Sequence, residues 1–139
     1  MKKLLNIAFV YTLLALASGV FFREFTKFNN FTENTDLALL HVHLLVLGTF
    51  LYLILALFSL NTNLLELKKF SLFQKIYNPS LILMITMILL KGIIEVSGIE
   101  MSKGLTAALS GISGISHIIL TIAFFFLFKC LKEIELQKS

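Results

Sequence analysis

An all-α bundle of four membrane-spanning helices is the fold this sequence predicts, and three observations predict it. The chain is 139 residues long, 58% hydrophobic and only 14% charged, with a mean hydropathy of +0.91, far from the balance of a water-soluble domain. Leu4 to Phe22, Leu37 to Leu60 and Leu105 to Phe128 reach bilayer-spanning length without a Lys, Arg, Asp or Glu. A fourth apolar stretch, Pro79 to Ser97, is interrupted only by Lys91 and Glu95 near one end. The loops left over are short, no internal repeat is visible, and the chain reads as a single transmembrane domain.

The first span, residues 4–22, follows Lys2 and Lys3. With Ala15-Leu16-Ala17 it has the layout of a secretory signal. Its apolar run continues through Phe22, longer than a signal core, so retention is the expectation. The loop from Phe22 to Asp36 is polar, and its Phe25, Phe28 and Phe31 recur every third residue, which suits an interfacial helical turn. The second span, residues 37–60, carries His41 and His43. Asn61 to Lys75 forms the next loop. Asn78 and Pro79 suit the cap and first turn of the third span, 79–97, or a kink in a helix that starts earlier. The fourth span, 105–128, follows a short loop from Gly98 to Gly104. Ala8, Thr12, Ala15 and Gly19 form a small-residue ridge on the first helix, and Ala107, Ser110, Gly111 and Gly114 form another on the fourth. Both suit ordinary helix packing within the bundle.

Basic residues set the expected orientation. Lys2, Lys3, Lys68, Lys69, Lys75, Lys129, Lys132 and Lys138 fall on one side, against Arg23, Lys27 and Lys103 on the other. Both termini are therefore expected in the cytoplasm, in a multi-pass protein of the bacterial inner membrane. The net charge of +4 is mostly this bias, and no basic cluster is dense enough for nucleic acid. Residues 129–139 are expected along the inner membrane surface. The single cysteine, Cys130, excludes a disulfide within the chain, and no Cys-x-x-Cys-His is present for covalent haem. No Ser-His-Asp, paired-carboxylate or glycine-rich phosphate motif supports a hydrolase, kinase or dehydrogenase.

Ionisable side chains are expensive in lipid, so His41 and His43 read as a site. Two residues apart on a helix are separated by about 200°, so the pair cannot grip one ion and must address two sites or partners. His41 shares its face with Leu44, Leu45, Gly48 and Tyr52; His43 shares its face with Val46, Leu47 and Phe50. Gly48 leaves space where a flat ligand can press on the helix. His117, on a stripe with Ser110, Ser113, Gly114 and Thr121, reads first as a neutral imidazole bonded across the bundle. It lies about 18 Å below Leu105, against about 6 Å for His41 below Leu37, so it is the weaker partner for a shared ligand. Lys91 and Glu95, four apart, are expected to pair on one face; the functional reading makes Lys91, with Arg23 and Lys103, a counter-ion for a buried anion.

The segment from Leu40 to Gly48 resembles the His-x-His helix of the haem-copper oxidase main subunit and its nitric-oxide-reductase and NnrS-like relatives, where two histidines point to opposite sides and ligate haem. The whole chain also resembles small four-helix bacterial membrane proteins of unknown function. That resemblance implies one four-helix third of a twelve-helix ring: a homo-oligomer, as a trimer, with haem b held between His41 of one protomer and His43 of the next, His117 being a lesser candidate for the iron. Lys91 and Arg23 are then partners for haem propionates, and Gly48 the face against the macrocycle. The chain has no His-His pair and no His-Pro-Glu-Val-Tyr-like segment, so the resemblance does not extend to oxygen reduction. Electron transfer, haem handling or gas sensing fit this reading; a small proton or metal-ion transporter, or a structural membrane protein without a cofactor, are the alternatives. The redox partner is not specified by the sequence.

Overall fold

The computed structural model describes the backbone of residues 1–138 and the side chains through Ile134. Four helices dominate it: α1 (Lys2–Phe28), α2 (Leu37–Phe58), α3 (Lys68–Val96) and α4 (Lys103–Lys138). A single 3-10 turn, Leu64–Glu66, lies between α2 and α3. All four helices are long and apolar enough to cross a membrane. The fourfold division of the sequence holds, but each of α1, α3 and α4 outruns its apolar stretch.

The extra length has local causes. α1 continues past the apolar run because Arg23, Glu24 and Lys27 are good helix formers that tolerate water. It stops where Asn30 takes a left-handed backbone (φ 52°), with Phe31 N–H donating to Thr26 O and Asn30 N–H to Lys27 O. These two bonds make a Schellman motif. α3 ends in the same way, with Gly98 at φ 64°, Ile99 N–H bonded to Ile94 O and Gly98 N–H to Glu95 O. At its other end α3 begins at Lys68, so Asn78 is no cap and Pro79 lies inside the helix. Proline has no N–H for the carbonyl four residues back, and beside that gap Asn78 Nδ2 donates to Gln74 O at 3.0 Å. α2 is not uniform either: Leu44–Phe50 winds as a π-helix directly after His43. α4 runs on as helix through residue 138, across part of the stretch expected along the membrane surface; the Lys138 side chain and Ser139 lie outside the described residues.

The helices pack in chain order: α1 on α2, α2 less extensively on α3, and α3 on α4 along most of its length. Contact between α4 and α2 is sparse. α4 binds α3 through Ser116, Leu120, Ala123, Leu127, Cys130 and Ile134, all buried and spaced three or four apart as a helix seam requires. Aromatic rings fill the seam at the same end: Phe73 stacks toward Tyr77 (centroids 4.9 Å), and Tyr77 meets Phe124 edge-on at 5.5 Å. The N-terminus of α1 and the C-terminal part of α4 lie at one end of the bundle, since Lys3 shares a cleft with Lys75 and Lys69 binds Glu133 at 2.8 Å.

The two small-residue ridges have different fates. On α1, Ala8 and Ala15 are buried against α2, and Thr12 shares a 3.1 Å hydrogen bond with Thr49. On α4 the expected packing is absent: Ala107, Ser110, Gly111 and Gly114 are exposed, and a side chain added at either glycine meets nothing within 4 Å. The helix that would face this ridge is not adjacent, because chain-order packing leaves α4 at an edge.

Candidate functional site

The three histidines are held in two ways. His43 Nδ1 lies 2.8 Å from Leu39 O, and His117 Nδ1 lies 2.8 Å from Ser113 O, each bonding to the carbonyl one turn back. A carbonyl oxygen can only accept, so Nδ1 carries the proton and the neutral ring keeps its lone pair on Nε2. His43 is partly exposed and His117 exposed, so both rings are anchored ligand-ready on the surface of their helices. His41 is different. Its ring lies against α1, where a Cβ on Gly19 would stand 3.9 Å from His41 Cβ. Its Nδ1 is enclosed without a partner.

Tyr77 touches both helices that carry the two anchored histidines. Its hydroxyl donates to Leu47 O at 2.8 Å, and Leu47 is one turn on from His43, on the same side of α2. Its ring meets Phe124, which is two turns on from His117 on the same side of α4. The stripes carrying His43 and His117 therefore converge on the same residue of α3. Measured outward from Tyr77, His43 lies about 6 Å away along α2 and His117 about 10.5 Å along α4, a depth difference of about 4.5 Å. Referred to Tyr77 instead of to the span ends, the offset between the histidines is smaller than the one expected from the sequence. His117 thus faces open surface instead of the helix-contact face expected of it.

Other residues singled out in the sequence have partners of their own. The space over Gly48 is filled by the Tyr11 ring of α1: a Cβ there would stand 2.6 Å from Tyr11 Cβ. No flat ligand can occupy it. Lys91 pairs with Asp36 at 3.4 Å and not with Glu95. The Glu95 carboxylate instead accepts from Thr35 Oγ1 at 2.9 Å and from the Asp36 N–H at 2.8 Å, where the exposed backbone donors at the start of α2 attract an anion more strongly than a flexible ammonium does. Arg23 lies beside Glu24 at 3.6 Å, with a largely exposed side chain. The Lys91–Asp36 pair is still partly open to solvent, and such ion pairs contribute little, so Lys91→Gln is expected to change stability by less than about 1 kcal/mol in thermal unfolding.

A polar cluster without a counterpart in the sequence expectations lies beside Tyr77. Asn78 Oδ1 accepts from Tyr52 OH at 2.8 Å and from Tyr11 OH at 3.4 Å, and Gln74 Nε2 is enclosed with no acceptor. All three tyrosines of the chain gather around Asn78 and its neighbour Tyr77. The available signal was the placement of Tyr11 and Tyr52 inside apolar runs, where a phenolic hydroxyl needs a partner.

Four bilayer-length apolar helices carrying anchored imidazoles within their spans define a polytopic, membrane-type helical protein. The chain belongs to the family described as "Protein of unknown function (DUF2871)", whose model matches residues 1–134. Neither the curated proteins nor the solved structures provide a match.

Proposed function

We propose that this protein binds b-type haem in the membrane, where His43 and His117 would hold it, and serves electron transfer, haem handling or gas sensing. The observation that carries the proposal is the paired anchoring of His43 and His117 on stripes joined through Tyr77. Two imidazoles are an incomplete shell for a bare ion. They suit an iron whose equatorial donors arrive with a macrocycle. Bound there, haem would supply one-electron exchange or a gas-sensitive iron. The protein's part is to orient the rings: the Nδ1–H bonds to Leu39 O and Ser113 O fix each tautomer and raise the basicity of Nε2. The resemblance of residues 40–48 to the oxidase His-x-His helix supports haem as the ligand. The reading does not draw on Gly48, Arg23 or Lys91: Tyr11 fills the space over Gly48, Arg23 lies beside Glu24, and Lys91 pairs with Asp36. The basic-residue bias supports the bacterial cytoplasmic membrane, with both termini in the cytoplasm.

A second arrangement is favoured by the uncovered α4 ridge, which suits self-association of small-residue helix faces. In it a homo-oligomer, a trimer by the oxidase resemblance, shares each haem between His41 and His43 of neighbouring chains. Single substitutions separate the two. With haem supplied during expression, His43→Ala and His117→Ala are each expected to abolish the low-spin bis-imidazole spectrum, and His41→Ala to retain it in an isolated monomer. Loss with His41→Ala and His43→Ala but not His117→Ala, confined to oligomers, would transfer the site to the interface. Absence of a Soret band from the wild-type protein under these conditions would refute haem binding altogether.

A further inference from the structure

The basic end of the bundle carries a second feature, independent of the histidines. Lys3, Ser71, Gln74, Lys75 and Asn78 line a cleft of about 190 Å³ between α1 and α3. Through Lys3, Ile7 and Asn78 it runs into a groove of about 560 Å³ whose walls are otherwise mostly apolar, including Val10, Tyr11 and Ile82. The cleft is rich in donors and short of acceptors. Gln74 Nε2 is enclosed without a partner, and among the described residues neither Lys3 nor Lys75 has a carboxylate within 4.0 Å. Ser71 adds a hydroxyl.

From this continuity we infer a binding site for one anionic glycerophospholipid. Its phosphodiester accepts from the Lys3 and Lys75 ammonium groups, the Ser71 hydroxyl and the Gln74 amide, and one acyl chain lies in the groove past Ile7 toward Tyr11. Charge complementarity selects the occupant: a neutral headgroup leaves both ammoniums unpaired, whereas basic pockets between membrane helices suit anionic heads. The register fits a lipid as well. Lys3 is the second residue of α1, placed for headgroup level, and Tyr11 lies about 12 Å deeper along the same helix, within the reach of an acyl chain. A free phosphate shares the head chemistry but makes no use of the groove.

Native mass spectrometry of the full-length protein, titrated with phosphatidylglycerol or phosphatidylcholine, tests the site. One phosphatidylglycerol is expected to be retained in preference to phosphatidylcholine. The double substitution Lys3→Gln, Lys75→Gln should weaken that retention roughly thirtyfold, two surface cations' worth, and Lys3→Arg, Lys75→Arg should restore it. Lys129→Gln, Lys132→Gln removes the same charge from the same end of the bundle and should leave it unchanged. Gln74→Leu should weaken retention with both lysines intact. Equal retention of the two lipids, equal loss in both glutamine double variants, or displacement of phosphatidylglycerol by millimolar inorganic phosphate would overturn the inference. Circular dichroism establishes that each variant is folded before it is scored; a misfolded glutamine pair leaves the arginine pair and Gln74→Leu to decide.

Discussion

Gly92→Ala is expected to destabilise the protein by about 1–3 kcal/mol, the range for overpacking a close contact. A Cβ at this position would stand 2.5 Å from Leu37 Cγ and 2.6 Å from the Leu37 backbone nitrogen. The side chain can rotate away, but the backbone cannot move without separating α2 from α3. Leu37 itself is fully buried and begins α2, so the displacement reaches the Thr35, Asp36 and Glu95 hydrogen bonds that hold that helix end. Gly48→Ala should cost a similar amount, because the atoms it meets include Tyr11 Cβ, which is fixed to α1. Gly111→Ala is the contrasting substitution. Nothing lies near its Cβ position, and alanine has the better helix propensity by about 1 kcal/mol, so the isolated chain should be unharmed or slightly stabilised. Thermal unfolding in detergent measures all three. A neutral Gly92→Ala would show that the α2–α3 contact is looser than described, and a loss of self-association with Gly111→Ala would locate an interface on the α4 ridge.

Removing Asn78 is the second large effect. Asn78→Leu keeps a similar volume but takes the acceptor from two tyrosine hydroxyls and the donor from Gln74 O. Tyr52 is completely buried, so its hydroxyl has no water to turn to. Each orphaned buried group costs ~1–3 kcal/mol, and interhelical hydrogen bonds in membrane proteins fall at the low end. The expected loss is therefore about 2–3 kcal/mol. Tyr52→Phe removes one hydroxyl while Asn78 keeps Tyr11 as a donor, and should cost less than about 1.5 kcal/mol. In the double variant Asn78→Leu, Tyr52→Phe part of the loss should be regained, because the stranded hydroxyl has gone. Strict additivity in that unfolding cycle would contradict the shared hydrogen bond.

Composition, periodicity and end signals by themselves determined the all-α class, the four spans, the opposed directions of His41 and His43, and the small-residue face of α1. These are local properties: 100° per residue assigns every side chain to a face, and apolar length sets a span, whatever else the chain does. Only the tertiary structure decided which faces meet. It put Tyr11 over Gly48, gave Lys91 to Asp36 and Glu95 to the start of α2, left the α4 ridge uncovered, and set His43 and His117 above a common tyrosine. Spacing along one helix carries no information about the relative height of another, so a depth measured from the end of its own span does not set the level of His117 against α2. A single hydrogen bond and a ring contact from Tyr77 supply that height, because they connect three helices at one level.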